Sequence, residues 1–216
     1  MKEENNFPSG SKRVYSYKLL AECYYLPDEK QMDLICEFEK PIVEFFSEIL
    51  ALSGDEGAKE LPEKNDLKQL RIDFSKLFVG PYKLLASPYG STYLEGSEVL
   101  MGDSTMDVKN RYENEGLFMD IKEAPDHIAI ELEFMYFLIL KEIEAKKTPD
   151  QEKADYYLEK QLSFLETHIA RWIPEFSGNV IANAQTEFYK NLAHTTKAFI
   201  EEDMKSLVDN TARQVN

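Results

Sequence analysis

Cysteine is scarce in this 216-residue sequence: Cys23 and Cys36 are the only two. Their spacing matches no metal motif, and two thiols in so long a chain make neither a disulfide framework nor a zinc knuckle. Reduced thiols are therefore expected. Histidine is nearly as scarce, with His127, His168 and His194 alone available to a catalytic or metal site. No histidine follows a glutamate at the three-residue spacing of di-iron bundles. There is no His-Glu-x-x-His helix, no phosphate-cradling glycine loop and no Gly-x-Ser-x-Gly elbow. The sequence thus offers no catalytic residues and no metal or cofactor site, and a non-enzyme is expected. Long apolar runs are missing too. The strongest, Phe134 to Leu140, is far short of the roughly 20 residues a membrane helix needs. Residues 1–10 are polar, lack the apolar stretch of a signal peptide and are expected to be flexible. The expected location is the cytoplasm, without stable membrane insertion.

What is abundant is negative charge. Forty acidic against 25 basic side chains give a formal net charge of -15. Such a surface repels nucleic acid and anionic lipid and favours basic partners. The hydrophobic fraction of 43% and aromatic fraction of 12% are those of a globular protein. The length suits one sizeable core, so residues 1–216 are read as a single domain.

The apolar residues recur at helical spacing. Val14, Tyr17, Leu20, Cys23 and Tyr24 share one face, and Pro27 ends that helix. Leu34, Ile35 and Phe38, then Ile42, Phe45, Phe46, Ile49 and Leu50 after Pro41, continue the pattern. Gly54 to Lys64 reads as a loop. Leu67, Leu70, Phe74, Leu77 and Phe78 form the next stripe. From Gly80 to Gly102, Gly and Pro preclude a long regular helix, while Tyr82, Tyr89 and Tyr93 argue for a functional loop. Ser104 is placed as an N-cap, with Gly116 ending its helix. Pro125 is placed at the first position of the most apolar helix, which continues through Ile139. A loop spans Lys146 to Asp150. Tyr157 through Trp172 form another helix, stopped by Pro174. Val180 to Val208 form a final helix or two. No strand alternation or internal repeat occurs, so the fold is read as an all-α helical bundle.

Two short motifs stand out. In Phe74-Ser75-Lys76-Leu77-Phe78 three apolar side chains share a helical face. Alone, such a stripe is more often core than binding site. Here it runs straight into the tyrosine-bearing loop that begins Gly80-Pro81, and together these can wall a groove for a peptide. In Glu123-Ala124-Pro125-Asp126-His127, proline and aspartate suit a helix start. His127 does not, since a cation is disfavoured there; a neutral imidazole hydrogen-bonded to a partner or loop is expected. Glu95, Glu123 and Asp126 at the rim would hold guanidinium groups.

In this order and spacing, the two motifs resemble the signatures of the TorD/DmsD/NarJ family of redox-enzyme maturation chaperones, most like its TorD/DmsD branch. The resemblance runs roughly from Tyr15 to Leu192. It includes Ser87-Pro88-Tyr89-Gly90-Ser91-Thr92-Tyr93, the Ser104-Thr105, Val108, Tyr112, Gly116 helix, and His168, Trp172, Pro174 and Phe176. It implies a cytoplasmic, all-helical chaperone of the TorD-like type. Its partner would be the catalytic subunit of a molybdopterin-containing oxidoreductase, bound through its twin-arginine leader. The chaperone would assist cofactor insertion and delay export until folding is complete. Carried over by motif, Leu77, Phe78, Pro88, Tyr89, Tyr93, Glu123, Asp126 and His127 would contact the leader. Phe74, Gly80, Pro81, Pro125 and Trp172 would shape the site. Phe74 replaces the Trp or Tyr of many relatives, and Pro88 stands where relatives often have two prolines; both bear on leader preference. Asp126→Asn and Leu77→Ala would each weaken leader binding with the fold largely intact. Two alternatives stand beside this reading: a nitrate-reductase-type assembly chaperone whose client is not exported, and a small helical nucleotide hydrolase using Asp126 and His127. A monomer is expected, or a dimer swapped through a hinge near residues 117–124.

Overall fold

The computed structural model describes residues 9–30, 32–33, 67–80, 84–96, 101–118 and 123–214. The helices expected over 34–50, the loop from Gly54 to Lys64, and Cys36, Pro81 and Tyr82 lie outside them. The described residues are helical, with no strand beyond one isolated bridge; the fold is all-α. In chain order the helices are α1 (Ser9–Cys23), α2 (Leu67–Phe74), the four-residue α3 (Ser91–Leu94), α4 (Asp103–Asn114), α5 (Ile128–Lys146), α6 (Gln151–Phe164), α7 (Ala170–Asn183) and α8 (Glu187–Gln214). No helix among the described residues is long and apolar enough to cross a membrane.

Helix α5 forms the middle of the bundle, packed on α1 and α6, while α8 packs along α7. It is buried on most sides, from Ile128 and Leu132 to Met135, Leu138 and Ile139, as its near-continuous apolar sequence requires. The face of α1 bearing Val14, Tyr17, Leu20, Cys23 and Tyr24 is buried as its spacing predicts. Burial pushes the free Cys23 thiol up to about 12, which keeps it protonated and unreactive.

Two π-turns interrupt the expected helices. Ser75–Val79 continues α2, and Gly80 N–H closes the wide turn on Ser75 O at 2.7 Å. Gly80 then leaves at φ 45°, a left-handed value that favours glycine. Leu165–Ile169 joins α6 to α7. Pro174 does not stop this helix as expected: it lies inside α7, which runs on to Asn183. It is the fifth residue of α7, so the carbonyl its missing N–H would have bonded is that of Ala170, the first residue.

The ends of α4 divide into one success and one correction. Gly116 at φ 76° ends the helix, with Leu117 N–H bonded to Tyr112 O and Gly116 N–H to Glu113 O, a left-handed cap of Schellman type. Ser104 is not the N-cap; Gly102 occupies that position. The free N–H groups are met instead by Glu95, whose carboxylate accepts from Asp103 N–H at 3.0 Å, Ser104 N–H at 2.6 Å and the Ser104 hydroxyl. These bonds hold its carboxyl below the usual range. A Cβ on Gly102 would sit 2.1 Å from that carboxylate. Asp107 turns away to Arg111 and to His168 Nε2, at 2.8 and 2.7 Å.

Candidate functional site

The two sequence motifs meet where the loop before α3 crosses the segment before α5. Tyr89 and His127 form an isolated antiparallel bridge. Gly90 N–H donates to Asp126 O at 2.9 Å, and Ile128 N–H to Pro88 O at 2.8 Å. Ser91 N–H adds a bond to Asp126 Oδ2 at 2.8 Å. Backbone pairing at 126–128 leaves Pro125 and Asp126 in a turn ahead of α5, not in its first turn as expected.

His127 is the N-cap of α5. Its φ and ψ of -67° and 135° are extended, and Nδ1 accepts the N–H of Ala129 at 3.2 Å. Accepting through Nδ1 needs an unprotonated nitrogen there, and the exposed amides of a helix start disfavour a cation. Burial pushes the imidazole below its ordinary value, against the opposing pull of Glu123 and Asp126. The expected neutral ring is therefore supported, though its bond goes to its own helix.

Two tyrosine rings gather at this cap. Tyr25 stacks on the imidazole at 6.2 Å and Tyr89 meets it edge-on at 5.4 Å. Each phenol donates to a carboxylate: Tyr89 to Glu123 at 2.7 Å and Tyr25 to Glu133 at 3.2 Å. Lys18 reaches Glu133 and Glu22 at 3.2 and 2.7 Å. Tyr25, Tyr89 and Glu133 are half-buried and Glu123 is exposed, so an aromatic and acidic rim faces solvent around a nearly closed imidazole. Tyr25 and Glu133 were not among the sequence candidates. Tyr25 follows the end of α1 and Glu133 lies on α5, and no local spacing links either to the motifs.

The other candidates lie beneath this rim. Leu77 is 0% exposed and Phe78 5%. The Phe78 ring packs among Phe74, Tyr189 and Phe176 at 5.1 to 6.1 Å. Pro88, Pro125 and Asp126 are buried as well. In this conformation Leu77, Phe78 and Pro88 shape the site from inside, because packing the bundle consumes their faces. Tyr93 is half-buried; its ring stacks on Trp172 at 5.5 Å, and its hydroxyl donates to Ser87 O at 2.9 Å. Trp172 is fully buried and donates Nε1–H to Glu131 at 3.1 Å. Gly90 lies against it, where an added Cβ would fall 3.0 Å from Nε1. Of the rim acids expected to face a ligand, Glu95 caps α4 and Asp126 caps α3, which leaves Glu123.

Asp126 and His127 do not pair with each other: one binds Ser91, the other Ala129. Among the described residues no cluster of three or more His, Cys, Asp or Glu side chains is arranged to hold a metal ion.

A family model described as nitrate reductase delta subunit matches residues 37–178. The chaperone protein TorD of Photobacterium profundum is 30% identical over 174 residues, covering 80% of this chain and 76% of that protein. The chain belongs to the TorD family of chaperones. TorD of Aliivibrio salmonicida is likewise 30% identical, over 68% of this chain and 69% of its own length. A perchlorate reductase assembly chaperone of Dechloromonas aromatica is 28% identical over 63% of this chain and 62% of its own. The TorD-like fold has a solved counterpart in a protein from Archaeoglobus fulgidus described as a redox enzyme maturation protein. It aligns with a TM-score of 0.61 at 22% identity, covering 92% of this chain and 99% of that one.

Proposed function

We propose that this protein is a cytoplasmic maturation chaperone. It binds the twin-arginine leader of a molybdopterin-containing oxidoreductase catalytic subunit, assists cofactor insertion and delays export until the subunit has folded. The supporting observation is the rim of Tyr25, Tyr89, Glu123 and Glu133 around His127. Carboxylates beside tyrosine faces suit guanidinium groups, which take bidentate bonds and stack on rings. The chain's charge of -15 favours a basic segment in the same sense.

Calorimetry with a synthetic leader, two arginines followed by an apolar run, tests this reading. Tyr89→Ala and Glu123→Gln should each weaken binding by about 1–3 kcal/mol. Affinity unchanged in both would remove the rim from the site. The match to a nitrate reductase delta subunit model favours a second reading, in which the client stays in the cytoplasm with only a remnant leader. The client's own N-terminus, recovered by pull-down, separates the two. Hydrolase chemistry by Asp126 and His127 has no support in their geometry, since each is committed to a different backbone N–H.

A further inference from the structure

Below the Tyr89–His127 crossing lie two carboxyl groups that the leader-binding reading leaves half explained. Asp126 is 1% exposed and Glu131 0%. Each has one oxygen satisfied: Asp126 Oδ2 by Ser91 N–H, Glu131 Oε2 by Trp172 Nε1–H. Each has one buried oxygen, Asp126 Oδ1 and Glu131 Oε1, with no hydrogen-bond partner. The two acids are tied to one short segment. Ser91 bonds Asp126, and the preceding Gly90 abuts the Nε1 atom that donates to Glu131.

We propose that Glu131 is a positioning residue of this site, held as a neutral acid that shares one proton with the carboxylate of Asp126. Glu131 Oε1–H then donates to Asp126 Oδ1. All four oxygens gain partners, and the pair carries one negative charge instead of two. Leaving two ionised, partly unpaired carboxylates in a dry interior is strongly disfavoured. The groups facing Glu131 fit this count. The Arg111 guanidinium is engaged with Asp107 and Ser163, and the Tyr112 hydroxyl donates to Pro125 O. Burial, with Asp126 adding to it, raises the Glu131 carboxyl well above its ordinary range, against Trp172 and Arg111. Through Trp172 the neutral acid braces Gly90 and the Tyr93 ring, and through Asp126 it braces Ser91. It therefore sets the backbone that carries Tyr89 to the rim.

Difference infrared spectroscopy of the full chain at neutral pH reads the proton directly. The wild type should show the carbonyl stretch of a protonated carboxylic acid, and Glu131→Gln should lose it. Asp126→Asn should keep the band, because Glu131 stays buried, but shift it, because the acid then donates to an amide oxygen in place of a carboxylate. An unshifted band there overturns the shared proton. No such band in the wild type, or one that persists in Glu131→Gln, overturns the proposal. The consequence for binding rests on the leader-binding reading. Wild-type affinity for the synthetic leader should fall about tenfold as alkaline pH ionises Glu131. Glu131→Gln, whose amide can donate to Asp126 and accept from Trp172, should bind at neutral pH as the wild type does and lack that alkaline loss. An equal alkaline loss in both proteins overturns the positioning role. A wild type that shows the band but binds no leader at any pH defeats the leader reading, while the infrared result still decides the shared proton.

Discussion

Leu77→Ala should act on stability before it acts on binding. The side chain is fully enclosed, and truncating a buried leucine costs about 2–5 kcal/mol. Denaturant unfolding should show that loss, with little change in leader affinity per folded molecule. This revises the sequence expectation, which had the variant folding largely as before. His127 gives a second residue-level test. Its pKa is below the ordinary 6.5 because burial disfavours the cation. Between the depressed and ordinary values the unfolded chain binds the extra proton, so stability falls as pH drops through that window. His168, also depressed by burial, has the same sign. NMR titration of both rings against acid unfolding checks this; a His127 pKa above 6.5 would contradict its assignment as a neutral cap. Sequence alone pointed to a neutral His127 from charge and helix polarity. It could not supply the cap, because His127 is held in extended backbone by the pairing of its neighbours Asp126 and Ile128 with Gly90 and Pro88, more than 30 positions away.

At the scale of elements, helix existence was far more legible than helix ends. The faces of α1, α4 and α5 follow from the spacing of large apolar residues, and Gly116 marks its stop by the conformation it alone takes cheaply. Pro174 and Ser104 misled for one common reason. Each obeys a local rule that distant geometry overrides: a continuous α6–α7 rod in one case, a carboxylate supplied from Glu95 in the other. The α3 loop offers its own test. Gly90 has ordinary backbone angles, so its need is space against Trp172 alone. Gly90→Val should push the loop off that ring and cost about 1–3 kcal/mol by overpacking, read as a lowered melting temperature.

The whole molecule is closed by a polar clasp between its first and last described helices. Arg13 of α1 makes a two-pronged contact with Asp203 of α8 and reaches Gln161 of α6 at 2.6 Å. Tyr17 bonds the same aspartate at 2.7 Å, and Gln161 passes the network to Glu142 of α5 at 2.8 Å. Arg13→Ala would leave Asp203, only 6% exposed at its side chain, without its counter-charge. A loss of about 3 kcal/mol is expected from breaking such a pair on one side, measurable by denaturation. The net charge acts over a longer range. Salt at several times physiological ionic strength should weaken capture of a basic leader chiefly by slowing association, since screening shortens the reach of the acidic surface. Stopped-flow rates against salt concentration check this.

The sequence holds one tryptophan, Trp172. It lies beneath Tyr93 and Gly90 with its indole N–H on Glu131. The protein therefore carries its own optical reporter at the floor of the candidate site. Emission excited at the indole would register any shift of the Tyr89 loop in unlabelled protein, without dye, tag or substitution.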